Sequence, residues 1–189
     1  VVIAAKSNEP HPKLGGSIHS VADEVVAAGG QALAILLDVR DEVAVQKAMQ
    51  QAAEHFGGID ILINNAGILV NKPFEKITTK ELENVYRVNV FSPFILSQQL
   101  APLMGRKERS HIINISSMGG FQGSAKFTGL SAYSSSKGAL SILSECLAEE
   151  LKDRNISVNC LCLGAVNTEM LKKAFPGYKA NTSSKQMAN

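Results

Sequence analysis

The stretch Ile59-Asp60-Ile61-Leu62-Ile63-Asn64-Asn65-Ala66-Gly67 decides the fold. Its first five residues are a short apolar run, and small and polar residues follow at once. A run of this length between turn signals reads as a buried strand, here Ile59 to Ile63. Immediately upstream, Val45, Ala48, Met49, Ala52 and Phe56 recur at helical spacing. That helix begins behind Asp41, a natural N-cap, and stops at Gly57-Gly58. A helix delivering the chain into a buried strand is the unit of a parallel sheet.

The same alternation extends in both directions. Val1 to Ala5 and Ala32 to Leu37 read as earlier strands, His111 to Ser116 and Ile156 to Leu161 as later ones. Lys6 to Ser17 is a loop holding Pro10 and Pro12. Ser17 then caps a helix carrying Ile18, Val21, Ala22 and Val25, which Gly29-Gly30 end. Thr78-x-x-Glu81 is a capping box. It opens a long helix to about Met104, with a kink expected at Pro93. Ser117 to Leu130 is a Gly- and Ser-rich loop, and the helix holding Tyr133 runs to about Asp153. A short helix is expected over Glu169 to Phe175, and the tail from Pro176 shows no clear pattern. The whole predicts an α/β protein, a doubly wound parallel sheet with helices on both faces in a single domain over residues 1–189.

Composition narrows the classes of function. The 189 residues carry a net charge of +2 without a block of like charges, which argues against a nucleic-acid surface. No apolar run approaches the ~18 residues of a membrane span. Cys146, Cys160 and Cys162 lie in apolar surroundings and read as buried free thiols of a reducing compartment. Cys160 and Cys162 would share one strand face. The four histidines have no metal-ligand spacing.

Ligands of open α/β sheets bind outside the carboxyl ends of the strands. Those positions are Ala5-Lys6, Asp38-Val39, Asn64 to Gly67, Ser116-Ser117 and Leu163 to Thr168. Tyr133 and Lys137 stand four residues apart, so a helix sets a phenol and an ammonium on one face. A neighbouring cation favours the phenolate and lowers a tyrosine pKa toward the range of general acid/base catalysis.

Taken in order, these residues resemble the short-chain dehydrogenase/reductase family over essentially the whole chain. The matching pieces are Asp38-Val39, Asn64-Asn65-Ala66-Gly67, Asn89 within Arg87-Val88-Asn89-Val90, the strand Ile113 to Ser117, and Tyr133-x-x-x-Lys137. Val158-Asn159 through Gly164-Ala165-Val166-Asn167-Thr168 completes the set. Pro10-His11-Pro12-Lys13-Leu14 is similar to the hydroxysteroid-dehydrogenase-like branch.

The resemblance implies a Rossmann-like fold and hydride transfer between a nicotinamide cofactor and a carbonyl or alcohol. By the same resemblance Tyr133 is the general acid/base. Lys137 lowers its pKa and holds the nicotinamide ribose, Ser117 binds the substrate oxygen, and Asn89 orients a water in a proton relay. Asp38 and Val39 contact adenine; Asn65, Ala66 and Gly67 let backbone approach the cofactor; Gly164, Val166 and Thr168 approach the nicotinamide. Ala5-Lys6-Ser7 stands where members preferring NAD usually carry an acid, so Lys6 points to NADP rather than NAD.

The resemblance also implies a homodimer or homotetramer and a cytoplasmic location. No Thr-Gly-x-x-x-Gly-x-Gly loop occurs. The family's first β-α unit and last strand are therefore expected to be absent, leaving a gap in mid-sheet. On that account the chain alone is expected to bind dinucleotide poorly. The alternative function is a non-catalytic scaffold that keeps the fold without the phosphate loop.

Overall fold

The computed structural model describes residues 1–9, 16–106 and 108–188. Pro10 to Leu14, which pointed to the hydroxysteroid-dehydrogenase-like branch, lie outside the described residues. Strand β1 (Val2–Ala5) pairs in parallel with β2 (Leu33–Leu36). Strands β3 (Ile61–Asn64), β4 (Ser110–Ser117) and β5 (Ile156–Leu163) form a second parallel sheet in that order. Among the described residues β1 bonds β2 alone and β3 bonds β4 alone, so no strand pair joins the two sheets.

Local chemistry starts and stops the helices where the residue types dictate. Ser17 and Ser20 form a reciprocal cap on α1 (Ile18–Ala27). Asp41 accepts from the Ala44 N–H at the start of α2 (Glu42–Phe56), and Gly57 ends it with φ +76°. Thr78 and Glu81 cap α3 (Thr79–Tyr86). Right-handed crossovers out of β1 and β2 run in opposite directions, which puts α1 and α2 on opposite faces. α2, α4 (Ser92–Leu100) and α5 (Ser131–Leu151) enclose the core, packed on Ile35, Ile112 and Val158 of the strands. On the opposite face of the three-stranded sheet, Ile61 and Ile63 are each 57% exposed.

Three details differ from the sequence reading. The long helix does not hold one register up to Pro93. It widens into one π turn over Arg87–Phe91, where the Ser92 N–H reaches back to the Arg87 carbonyl. Pro93 has no N–H to give the Asn89 carbonyl four residues back, and the wider turn accommodates that loss. Cys146 is exposed rather than buried, while Cys160 and Cys162 are half-buried on one face, both against Ser141. The tail is ordered: β6 (Val166–Asn167) pairs in parallel with β7 (Thr182–Ser183), with α6 (Glu169–Ala174) between them and α7 (Ser184–Ala188) after. No described helix is long and apolar enough to cross a membrane.

Candidate active site

The two serines that end β4 have separate surroundings because successive strand residues face opposite sides. Ser116 is buried, and its hydroxyl donates to the Lys137 carbonyl at 2.8 Å. Ser117 is half-buried and accepts from the Gly119 N–H at 3.2 Å. Ser116 thus anchors α5, and Ser117 faces the side where Tyr133 lies.

Tyr133 and Lys137 share one face of α5, with the ammonium 5.9 Å from the phenol ring centre. Lys137 Nζ donates to the Ile115 carbonyl at 2.7 Å. Burial pulls its pKa down from 10.5 to about 8. Burial also raises Tyr133 above the ordinary tyrosine value. The nearby Ser117 hydroxyl opposes this rise, although no hydrogen bond of ordinary geometry joins the two side chains. The expected depression of Tyr133 by Lys137 is therefore not what this arrangement gives. The Lys137 ammonium is directed at the Ile115 backbone carbonyl, and burial sets the direction for Tyr133.

Asn89 sits in the π turn with no exposed surface. Its Oδ1 accepts from the Ile68 N–H, and its Nδ2 donates to the Ile68 carbonyl and to Ser136 Oγ, each at 2.9 Å. Both amide N–H groups are engaged, and Oδ1 accepts one hydrogen bond. Its main-chain carbonyl stands four residues before Pro93, which has no N–H to give it. Gly67 passes close by: a Cβ there would lie 3.4 Å from Lys137 Nζ and 3.5 Å from Asn89 Oδ1. Gly67 thus brings the loop after β3 up to the Lys137 ammonium and the Asn89 amide.

The remaining predicted positions follow the strand ends. Lys6 follows β1 and is exposed; its charge helps lower Asp38. Arg40 holds the Asp38 carboxylate at 2.5 Å and brings its pKa to about 2. Arg40 also donates to Asn84 Oδ1, and Ser92 Oγ donates to the Val39 carbonyl. Asn65 and Ala66 are exposed beyond β3. Asn64 spans to β4, donating to Asn114 Oδ1 at 2.8 Å, and Asn114 donates on to Ser144. Past β5, Gly164 is open, Val166 lies in β6, and Thr168 caps α6 through its Oγ1.

Donors and small residues along one sheet edge fit the two ends of a nicotinamide dinucleotide. Two buried acceptors, Asn64 Oδ1 and Asn167 Oδ1, lack a donor there. No group of three or more His, Cys, Asp or Glu able to hold a metal occurs among the described residues.

Sequence reading missed three contributors. Ser136, fully buried, links Asn89 to the Tyr133 carbonyl. Gly120 presses on α5, where a Cβ would stand 2.5 Å from the Lys137 carbonyl carbon. Asn71 joins α6 to the loop after β3 by donating to the Ala174 carbonyl, and Lys72 N–H donates to Gly129. Ser136 and Gly120 adjoin recognised residues, but only the crossing of separate elements reveals their roles.

Comparison with known proteins bears on the family. The family model for short chain dehydrogenases matches residues 13–179. Human hydroxysteroid dehydrogenase-like protein 2 is 38% identical over 161 residues, 85% of this chain and 38% of the relative. The bovine protein of that name is 40% identical over 116 residues, 61% of this chain and 28% of its own. This chain therefore spans well under half the length of these curated relatives.

Among solved structures, a Burkholderia cenocepacia short chain dehydrogenase in complex with NADP superposes with a TM-score of 0.81 at 29% identity. The match covers 99% of this chain and 69% of that one. A Serratia marcescens short-chain dehydrogenase/reductase gives a TM-score of 0.75 at 39% identity over 80% of this chain and 60% of that one. With the motifs gathered at one sheet edge and a family match over most of its length, the chain belongs to the short-chain dehydrogenase/reductase family.

Proposed function

We propose that this chain carries the catalytic residues of an NADP(H)-dependent oxidoreductase that interconverts a small-molecule carbonyl and its alcohol. The observation that supports this reading is the placement of Tyr133 and Lys137 on one face of α5 beside Ser117. The nicotinamide supplies or takes up the hydride. Ser117 and Tyr133 hydrogen-bond the carbonyl oxygen where negative charge develops. Tyr133, held protonated by its burial, gives that oxygen its proton. Lys137 stabilises the phenolate left behind and holds the nicotinamide ribose. The Asn89 carbonyl orients a water that returns a proton toward Lys137.

Lys6, Asp38 and Val39 would receive the adenosine end of the cofactor. Lys6 would meet a 2′-phosphate, which favours NADP over NAD. Asn65, Ala66, Gly67, Gly164, Val166 and Thr168 would line the path to the nicotinamide. Apolar Phe91, Phe94 and Ile142, all on the helical face and about half exposed, would be covered by a second copy in a homodimer or homotetramer.

The testing measurement is the thermal shift of the full-length protein with NADPH and with NADH. Binding to the native state raises the melting temperature. NADPH is expected to stabilise more than NADH, and Lys6→Glu to remove the difference. Equal stabilisation of the wild type by NADH contradicts the choice of cofactor. Stabilisation by neither supports the second reading, a non-catalytic scaffold. The unpaired edges of β1 and β3 among the described residues are the observation favouring that reading.

A further inference from the structure

The candidate serine and tyrosine are flanked by two segments, residues 118–130 before α5 and residues 168–180 through α6. Aromatic side chains join them. Phe127 packs edge-on against Phe175 at 5.4 Å between ring centres, and Phe175 packs against Tyr178 at 6.4 Å. Phe127 and Tyr178 nevertheless remain 56% and 55% exposed. Contiguous exposed aromatic surface of this kind offers an apolar ligand a place to pack. Both segments are tied to the loop after β3: Asn71 donates to the end of α6, and the Lys72 N–H donates to Gly129.

The same two segments concentrate positive charge. They carry Lys126, Lys172, Lys173 and Lys179 against one carboxylate, Glu169, in a chain whose total is only +2. Lys126 is spent on the Phe121 and Ser124 carbonyls, and Lys173 lies 4.0 Å from Glu169. Lys172 and Lys179 are exposed, and no salt bridge among the described residues engages them. Lys172 stands one helical turn before Phe175, and Lys179 adjoins Tyr178.

We infer that the substrate is an apolar carbonyl compound or alcohol that carries an anionic group. Its body lies on Phe127, Phe175 and Tyr178, and its charge is met by Lys172 and Lys179. This rests on the oxidoreductase reading only for the reacting carbonyl; the recognition itself is a matter of binding.

The test is calorimetric titration of the full-length protein with octanoate, octanol and octyltrimethylammonium. Octanoate is expected to bind best, and to weaken by roughly fivefold or more as salt is raised from about 0.05 M to about 0.5 M. The double variant Lys172→Glu, Lys179→Glu and the variant Phe127→Ala are each expected to lose most of that binding. Ile61→Gln with Ile63→Gln, on the open sheet face, is expected to leave it unchanged.

Equal binding of all three probes overturns the inference, as does full octanoate affinity in the lysine double variant. Loss of binding in the Ile61 and Ile63 variant instead of Phe127→Ala also overturns it. Since binding needs no turnover, a protein that binds octanoate but reduces no carbonyl speaks against the activity and not against this site.

Discussion

Asn89 donates to Ser136 at 2.9 Å while also exchanging two hydrogen bonds with the backbone of Ile68. One buried amide thereby fixes the distance between the loop over Lys137 and the helix that carries Tyr133. Asn89→Ala would strand the Ile68 N–H and carbonyl and leave the Ser136 hydroxyl only its bond to the Tyr133 carbonyl. The expected loss is about 2–3 kcal/mol of unfolding free energy, since stranded buried polar groups lose their partners without regaining water. Denaturant unfolding checks this, and an unchanged midpoint would show that the clamp does not exist in solution.

Lys137 is kept in its site against its own solvation. Its folded pKa of about 8 lies below the unfolded 10.5, so burial penalises the charged form. Below pH 8 both states hold the proton and the penalty is fully present. As pH rises from about 8 to about 10.5, the unfolded state holds more protons, and this group's contribution to stability becomes more favourable. Lys137→Met is expected to gain roughly 1–3 kcal/mol at neutral pH, after allowing for the lost bond to Ile115, and to lose that advantage across the same window. Melting temperature against pH for both proteins is the check. Activity should vanish in the variant, a trade of function for stability.

Carbonyl reduction should also follow this titration. Once Lys137 is neutral it no longer stabilises a Tyr133 phenolate, so kcat/KM is expected to fall as pH rises through about 8. A profile flat to pH 10.5, the ordinary lysine value, would contradict the buried ammonium.

Gly120 offers a separation of activity from stability. An added Cβ would collide with the Lys137 backbone, and its neighbours there are main-chain atoms of a buried helix turn. Gly120→Ala should therefore push the turn after Ser117 away from α5. The expected result is a drop in kcat of about tenfold or more with smaller loss of stability, because positioning errors near 1 Å have large kinetic effects. Unchanged kcat would mean that Ser117 does not depend on this contact.

Asp38 contributes in acid. Arg40 lowers its pKa from 3.8 to about 2, so its stabilisation is present above pH 3.8 and is lost as pH falls toward 2. The group is mostly solvated, which limits the effect to about 1 kcal/mol or less. Asp38→Asn should flatten that part of the acid denaturation curve, and an unaltered curve would discount the pairing.

The elements were legible because their signals are local. Asp41, Gly57, and Thr78 with Glu81 act within one helical turn, and β3 to β5 are short apolar runs. Tyr133 and Lys137 were legible for the same reason, since helical spacing alone sets them together. What stayed hidden depends on contacts between distant segments. The hydrogen bonds of Asn89 require knowing where Ile68 and Ser136 lie, and the rise in Tyr133 pKa requires knowing how deeply α5 is buried. The π turn stayed hidden because sequence marks Pro93 but not the register change beside it.

The most direct measurement is NADPH-dependent reduction of a panel of apolar ketones by the full-length protein, wild type beside Tyr133→Phe. The phenylalanine keeps the ring and removes only the hydroxyl. The account predicts measurable turnover by the wild type and a loss of about 10²–10⁴-fold in the variant, the usual contribution of a positioned proton donor. NADPH binding should be unaltered. Turnover in Tyr133→Phe equal to that of the wild type would contradict the assignment of Tyr133 as the proton donor.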